Sequence, residues 1–517
     1  MLIRRGQRGS GERTALCAGR AEKTGTMSIG SVKSKARDCI VLDPMVYLYN
    51  DREDGFMGEQ KRLPKSTMTD MTEGNAYKLI LLFSLPLLVG NVFQQLYNMV
   101  DSIVVGNFIG DKALAAVGTG FPVIFMLSSL FMGVGVGATI MISQYYGAKD
   151  MDKVNETVGT IYTAMLIGII PLSILGIVAS GPLLTLMKVP RDGTFAMARI
   201  YMIVIFAGII GNLGFNINAG ILQGLGDSKT SLLFLAIAAV LNTVLDLVFT
   251  IVFHWGVFGV ALATIIAQIV SWIFGIFYIN KRYDCVQIRL FSFFFDRSLF
   301  AKAMKLGIPS GIQQALFSIG IMMMQSLVNS YGSDFMAGFN GANKIDTFAF
   351  MPIQSFTTAI TTYTGQNIGA GNMHRVKQGV RASIVLSVSV SILIGLILYP
   401  SSSFLMRMFS RNEAVLASGV SYLHCVLPFY SLLAVGFMFS SVMRGAGEMI
   451  VPMISSFISL WLARIPVAYI IAHIWGKDWI FLSYAVGWLI GFVISGAYYA
   501  TGRWKNKGVV QREATEM

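Results

Sequence analysis

A chain of 517 residues with 54% hydrophobic content and only 13% charge lies outside the soluble globular class, in which about a quarter of residues are charged. The net charge of +13 does not call for a nucleic-acid partner, because the basic residues gather in short polar stretches between long apolar runs, as membrane topology requires. Four cysteines (Cys17, Cys39, Cys285, Cys425) and four histidines (His254, His374, His424, His473) are scattered without ligand spacing, so no disulfide framework, metal centre or resident cofactor is expected.

The first 67 residues are polar and mixed in charge, with no apolar core of a signal peptide, and residues 1–67 read as a disordered tail. Met27, Met57 and Met68 are alternative starts, and Met68 opens directly onto the first apolar run. Twelve spans follow, at 79–105, 113–142, 157–179, 197–221, 231–253, 257–279, 303–330, 335–366, 379–399, 415–441, 451–472 and 480–501. Each approaches the roughly 20 residues that carry a helix across hydrocarbon. The alternation of a transmembrane strand is absent. Six spans (68–279) precede a basic linker at 280–302, which has Lys281, Arg282, Arg289, Arg297 and Lys302 in it. Six more follow (303–502), then a tail at 503–517. Placing the linker, Lys149, Lys153, Lys229, Arg375, Lys377, Arg381 and the tail in the cytoplasm leaves few basic residues outside. Both termini are therefore expected in the cytoplasm of a multi-pass cell-membrane protein.

The two halves share motifs. Gln144-x-x-Gly147-Ala148 recurs as Gln366-x-x-Gly369-Ala370, and Gly224-x-Gly226-Asp227 recurs as Gly445-x-Gly447-Glu448, both about 220 residues further on. The expected fold is an all-α integral membrane protein of twelve transmembrane helices in two six-helix lobes. An even number of spans per lobe makes the repeat parallel, an arrangement known in transporters with a site between halves.

Ionisable side chains inside hydrocarbon cost at least about 2.5 kcal/mol each and ask for a function. Asp101 lies late in span 1, and Asn242 and Asp246, four apart, share one face of span 5. Thr264 in span 6 falls at a similar depth. Two carboxylates, an amide and a hydroxyl suit a proton or a small hard cation such as Na⁺, and no Lys or Arg of the first lobe sits there to neutralise them. In the second lobe the same stretch falls on Ala463 to Val467, where Arg464 reads as structural or snorkelling. Lys344 and Asp346 are two apart and do not face each other on a regular helix. Met323, in a run of three methionines, is a candidate wall of an adaptable pocket. No His-Glu-x-x-His or Gly-x-Ser-x-Gly appears, so no enzyme is expected.

Gln94-Gln-Leu-Tyr-Asn-Met-Val-Asp101, Leu222-Gln-Gly-Leu-Gly-Asp-Ser-Lys229, Leu241-Asn-Thr-Val-Leu-Asp246, Gly259-Val-Ala-Leu-Ala-Thr264 and Met443-Arg-Gly-Ala-Gly-Glu448 together resemble the multidrug and toxic compound extrusion (MATE) transporters, in their bacterial multidrug-efflux branch. The resemblance covers about Thr69 to Trp504. It implies an antiporter that exports cationic or amphiphilic small molecules in exchange for H⁺ or Na⁺, with membrane lipid around it and no obligate protein partner. It also implies an ion site at Asp101, Asn242, Asp246 and Thr264. The candidates for a substrate cleft are Gln94, Gln313, Gln314, Met323, Lys344 and Asp346. The chain departs from the family in two places: Gln313 and Gln314 stand where some members have a Glu in span 7, and Gln223 stands where an Arg is frequent. A flippase for lipid-linked precursors is the alternative, and it would need basic residues converging in the cleft, for which Lys344, Arg444 and Arg464 are available.

Overall fold

The computed structural model describes residues 68–283, 285–290 and 293–510; the expectation for residues 1–67 and that for the last seven residues of the tail lie outside them. The described residues form helices and no strand. They are α1 (Ala76–Ile109), α2 (Asp111–Gly147), α3 (Met151–Leu186), α4 (Thr194–Ala207 and Ile209–Gly224), α5 (Ser228–Val252) and α6 (Gly256–Arg282), followed by α7 (Arg297–Asn329), α8 (Ser333–Gly369), α9 (Met373–Arg407), α10 (Glu413–Gly445), α11 (Ile450–Ile474) and α12 (Lys477–Thr501).

By length and composition, ten of these can each cross a membrane, and α4, bent by 53° at Gly208, makes an eleventh. The twelfth expected span, α8, does not qualify by apolarity, because it carries Asn340, Asn343, Lys344 and Asp346. Its 37 residues nevertheless reach roughly 55 Å at about 1.5 Å per residue. The linker is shorter than the expected 280–302, because α6 runs on to Arg282 and α7 begins at Arg297. It is tied to α3: the Asn155 amide donates to Cys285 O at 2.8 Å, and Thr163 donates to Phe294 O at 2.9 Å.

The helices that start at the linker end have oxygen-bearing N-caps, which satisfy backbone N–H groups that a helix leaves without partners. Asn75, Asp150, Asp227, Asp296 and Asn372 cap α1, α3, α5, α7 and α9, and Glu448 accepts from Ile450 N and Val451 N at the start of α11. The paired Gly-x-Gly-Asp/Glu motifs are thus one device used twice. In each, the second glycine (Gly226, φ +83°; Gly447, φ +92°) takes the left-handed turn that ends a helix, and the acid begins the next one.

Those turns sit in a clasp between the lobes. A Cβ on Gly226 would meet Thr69 O at 2.3 Å, and one on Gly447 would meet Lys507 O at 2.5 Å, so only glycine lets the chain ends lie there. Gln366 donates to Gly224 O and accepts from Met71 N. Its repeat partner Gln144 donates to Gly445 O and accepts from Val509 N. The Gln-x-x-Gly-Ala motifs also meet each other directly: a Cβ on Gly147 would stand 1.9 Å from Gln366 O, and one on Gly369 would stand 1.8 Å from Gln144 O. Residues 507–510, expected as part of a plain tail, are a built part of this contact.

The two hydrophobic cores are interleaved in the same sense. Leu299, Ala303 and Leu306, at the start of α7, pack into the first lobe's core, while Met71, Ala76, Ile80 and Phe83, at the start of α1, pack into the second lobe's. Elsewhere α1, α3, α5 and α9 expose Ile103, Ile170, Val178, Val240 and Leu396, an apolar surface that suits lipid.

Gly147→Ala and Gly369→Ala are expected to prevent closure at this end without unfolding the lobes. Disulfide cross-linking between cysteines at Ala148 and Ala370 should drop at least several-fold in either background, while size-exclusion profiles stay unchanged. A chain beginning at Met68 keeps Thr69, Met71 and Gly74 in place, including the bonds from Arg375 to Met71 O and Gly74 O. It should match the full chain in transport, whereas a chain beginning at Ala76 should lose most of it at equal expression.

Candidate functional site

The first-lobe cluster forms where three helices meet. α1 and α5 each change from α to π geometry just past their acid, at Val105–Ile109 and Val248–Val252, a local widening common at functional sites. Asp246 and Asn242 are buried at 0% and 1% exposure and Thr264 at 8%. The Asn242 amide donates to Thr264 Oγ1 at 3.3 Å, and Thr264 in turn donates to Val260 O at 3.0 Å. Asp101 and Asp246 face each other, with the Tyr97 and Tyr201 phenols in the field of both.

What distinguishes this cluster is its lack of donors. Asp101 Oδ1, Asn242 Oδ1 and both carboxylate oxygens of Asp246 are buried without a hydrogen-bond partner. None of the ion pairs among the described residues involves either acid. A buried polar atom left unmatched costs about 1–3 kcal/mol, and more when it is charged. Four buried, unmatched oxygens on neighbouring helices therefore suit a proton or a small cation that accepts oxygen ligands. All four residues predicted for the ion site come together here.

The second lobe holds a cavity of about 260 Å³. Asp346, on α8, lines it and accepts a hydrogen bond from the Tyr430 hydroxyl on α10; the Tyr422 hydroxyl is also turned toward it. Arg464 lines it too. Of the two readings of Arg464 from sequence, structural or snorkelling, the snorkelling one is corrected, since its side chain does not reach outward. It is 8% exposed and lies with its guanidinium carbon 4.0 Å from the Tyr484 ring centroid and 5.9 Å from that of Trp488. A desolvated cation–π contact of this kind is worth about 2 kcal/mol or more. Arg464 ends a π-helical turn, Ile458–Arg464. It occupies the second-lobe counterpart of the Asn242 to Asp246 stretch. Nothing in its local sequence marks it as a cavity residue; the repeat offset alone was the available signal.

The other predicted cleft residues separate. Gln313 is held by Arg444 Nη2 at 3.0 Å and itself donates to Pro452 O and Ser456 Oγ. Gln94, Gln314 and Met323 are exposed, and none lines the second-lobe cavity. Lys344 is exposed, with its ammonium 6.0 Å from the Phe409 ring centroid. Lys344, Arg444 and Arg464 therefore do not converge, and the basic cluster a pyrophosphate-lipid flippase would need is not formed.

A model of the MatE family matches this chain twice, over residues 86–248 and 309–470. The chain belongs to the MatE family. Its members here are transporters with bacterial relatives, and the double match is the internal repeat. "Probable multidrug resistance protein YpnP" of Bacillus subtilis (strain 168) is 32% identical over 441 residues, spanning 84% of this chain and 97% of the relative. "Probable multidrug resistance protein NorM" of Thermotoga maritima is 25% identical over 465 residues, 87% of this chain and 97% of its own. Among solved structures, an outward-facing multidrug resistance MATE transporter superposes with a TM-score of 0.77 at 25% identity, covering 86% of this chain and 98% of the other. A MOP superfamily transporter from Pyrococcus furiosus Vc1 (DSM3638) gives 0.79 at 25% identity over 86% of this chain and 99% of the other.

Proposed function

We propose that this MatE-family protein is a secondary multidrug efflux antiporter that exports cationic or amphiphilic small molecules in exchange for H⁺ or Na⁺. The observation that carries the reading is the set of four buried, unmatched oxygens on Asp101, Asn242 and Asp246. The names of the relatives support the efflux half of it. The basic linker and clasp end face the cytoplasm, so a closed clasp corresponds to an outward-facing state. In that state the first-lobe carboxylates take up H⁺ or Na⁺. Occupancy removes the repulsion between two facing acids and lets α1, α5 and α6 pack closer, which favours opening of the clasp. Drug and ion oppose each other through their preference for different states, because a ligand moves an equilibrium only by differential affinity.

Asp101→Asn and Asp246→Asn keep the side-chain volume and fix the charge at zero. Each should abolish ion-coupled efflux, by at least about tenfold in initial rate, equivalent to roughly 1.4 kcal/mol of coupling, while the protein still folds and binds drug. The measurement is dye efflux in proteoliposomes with pH and Na⁺ gradients imposed separately. Full coupled efflux in both variants at matched incorporation rules out the first-lobe ion site. For orientation, a cysteine introduced at Gln287 in the linker should resist an impermeant maleimide in intact cells and react in inverted vesicles; labelling from outside reverses the topology.

A further inference from the structure

The Arg464 guanidinium has five N–H donors in a planar fork, and it donates to no acceptor among the described residues. Nε is buried without a partner, and no ion pair holds the group. An arginine kept for structure alone is ordinarily spent on a carboxylate or on carbonyls, since an unmatched buried charge is costly. Here the guanidinium carbon sits 4.0 Å from the Tyr484 ring centroid, a contact that uses none of its N–H donors. One turn earlier on the same π-helical segment, Ser459 Oγ is also buried without a partner, and Ser459 and Arg464 line the same cavity.

Apart from Asn343, whose side-chain amide also makes no hydrogen bond among the described residues, the rest of the wall is largely matched or apolar. Asp346 takes the Tyr430 hydroxyl. Ser440, Ser455 and Ser495 are bonded to one another at 3.1 Å. Phe317, Phe350, Phe437 and Phe492 supply aromatic surface. A cavity of about 260 Å³ exceeds what one inorganic ion fills, so the unspent donors are set at the edge of a site with room for a small organic molecule.

We infer that the second-lobe cavity is a binding site for aromatic amphiphiles that carry a carboxylate, with the Arg464 fork and the Ser459 hydroxyl holding the carboxylate and the phenylalanine walls holding the ring. Guanidinium meets carboxylate in a bidentate geometry that an ammonium ligand cannot use. Asp346 lies in the field of Arg464 without forming an ion pair, and its charge repels a ligand's acid. The inference adds a ligand class to the proposed exporter. It is read by binding rather than transport, so it and the first-lobe coupling site fail independently.

The test is isothermal titration of the full chain in lipid nanodiscs with three probes that share one ring system: 1-naphthoate, 1-naphthylmethylammonium and 1-naphthalenemethanol. Naphthoate should bind at least about tenfold more tightly than either of the others. Arg464→Gln should erase that preference, Arg464→Lys should restore part of it, and Ser459→Ala should weaken naphthoate several-fold. Asp346→Asn should tighten naphthoate, which a merely structural role for the Arg464 and Asp346 pair would not produce. Equal binding of the three probes to the wild-type chain overturns the proposal, as does a naphthoate preference that survives Arg464→Gln. Should Arg464→Gln not fold, unchanged or weaker naphthoate binding in Asp346→Asn overturns it instead.

Discussion

Hydrocarbon offers no hydrogen bonds, so every polar group between the ends of these helices must find its partner inside the protein. This constraint explains most of what is seen. Serine and threonine hydroxyls along the helices return to carbonyls three or four residues back, as Ser129, Thr139, Ser143 and Thr157 do. Tyr162 donates to Asn218, whose amide donates on to Trp272 O. Against that background the unmatched groups stand out, and the most exacting of them fall in two places: the oxygens of Asp101, Asn242 and Asp246, and the donors of Ser459 and Arg464.

The duplication treats these two places differently from everything else. At the clasp the halves are interchangeable: Gln144 and Gln366 exchange roles, Gly147 and Gly369 meet each other's carbonyls, and Gly226 and Gly447 make the same turn. Deeper in the lobes the copies have diverged in sign. Where α5 presents an amide and an acid, α11 presents an arginine. A lobe that gathers acceptors is suited to a cation, and a lobe that gathers donors is suited to an anionic or neutral acceptor. The pseudo-symmetric frame thus holds two groups of unmatched polar atoms, acceptors in one lobe and donors in the other, with one symmetric contact between the lobes.

The closure and the sites are mechanically linked through α1 and α8. The start of α1 packs in the second lobe's core and its far end carries Asp101. α8 carries Asp346 in its first half and Gln366 and Gly369 at its clasp end. A change in packing around either acid therefore reaches the contact that holds the lobes together, along a helix that is already continuous.

Much of this was legible in the chain itself. Apolar run length points to helices in a membrane, because a helix satisfies its own backbone there, and the runs placed the spans to within eight residues at every end. Asn242 and Asp246 are four apart and so share a face, which made the first-lobe cluster visible before any packing was known. The twice-used glycine and acid motifs announced the repeat. What the sequence could not decide was which polar residues are left without partners. Gln313 and Lys344 look as promising as Asp346 in sequence, yet Gln313 is consumed by Arg444 and α11, and Lys344 turns to Phe409. Arg464 looked like a residue bound for the interface, and only the rings of Tyr484 and Trp488, on the following helix, turn it into the cavity. Whether a polar group is spent or free depends on neighbours brought by other helices, so the tertiary structure alone decided it.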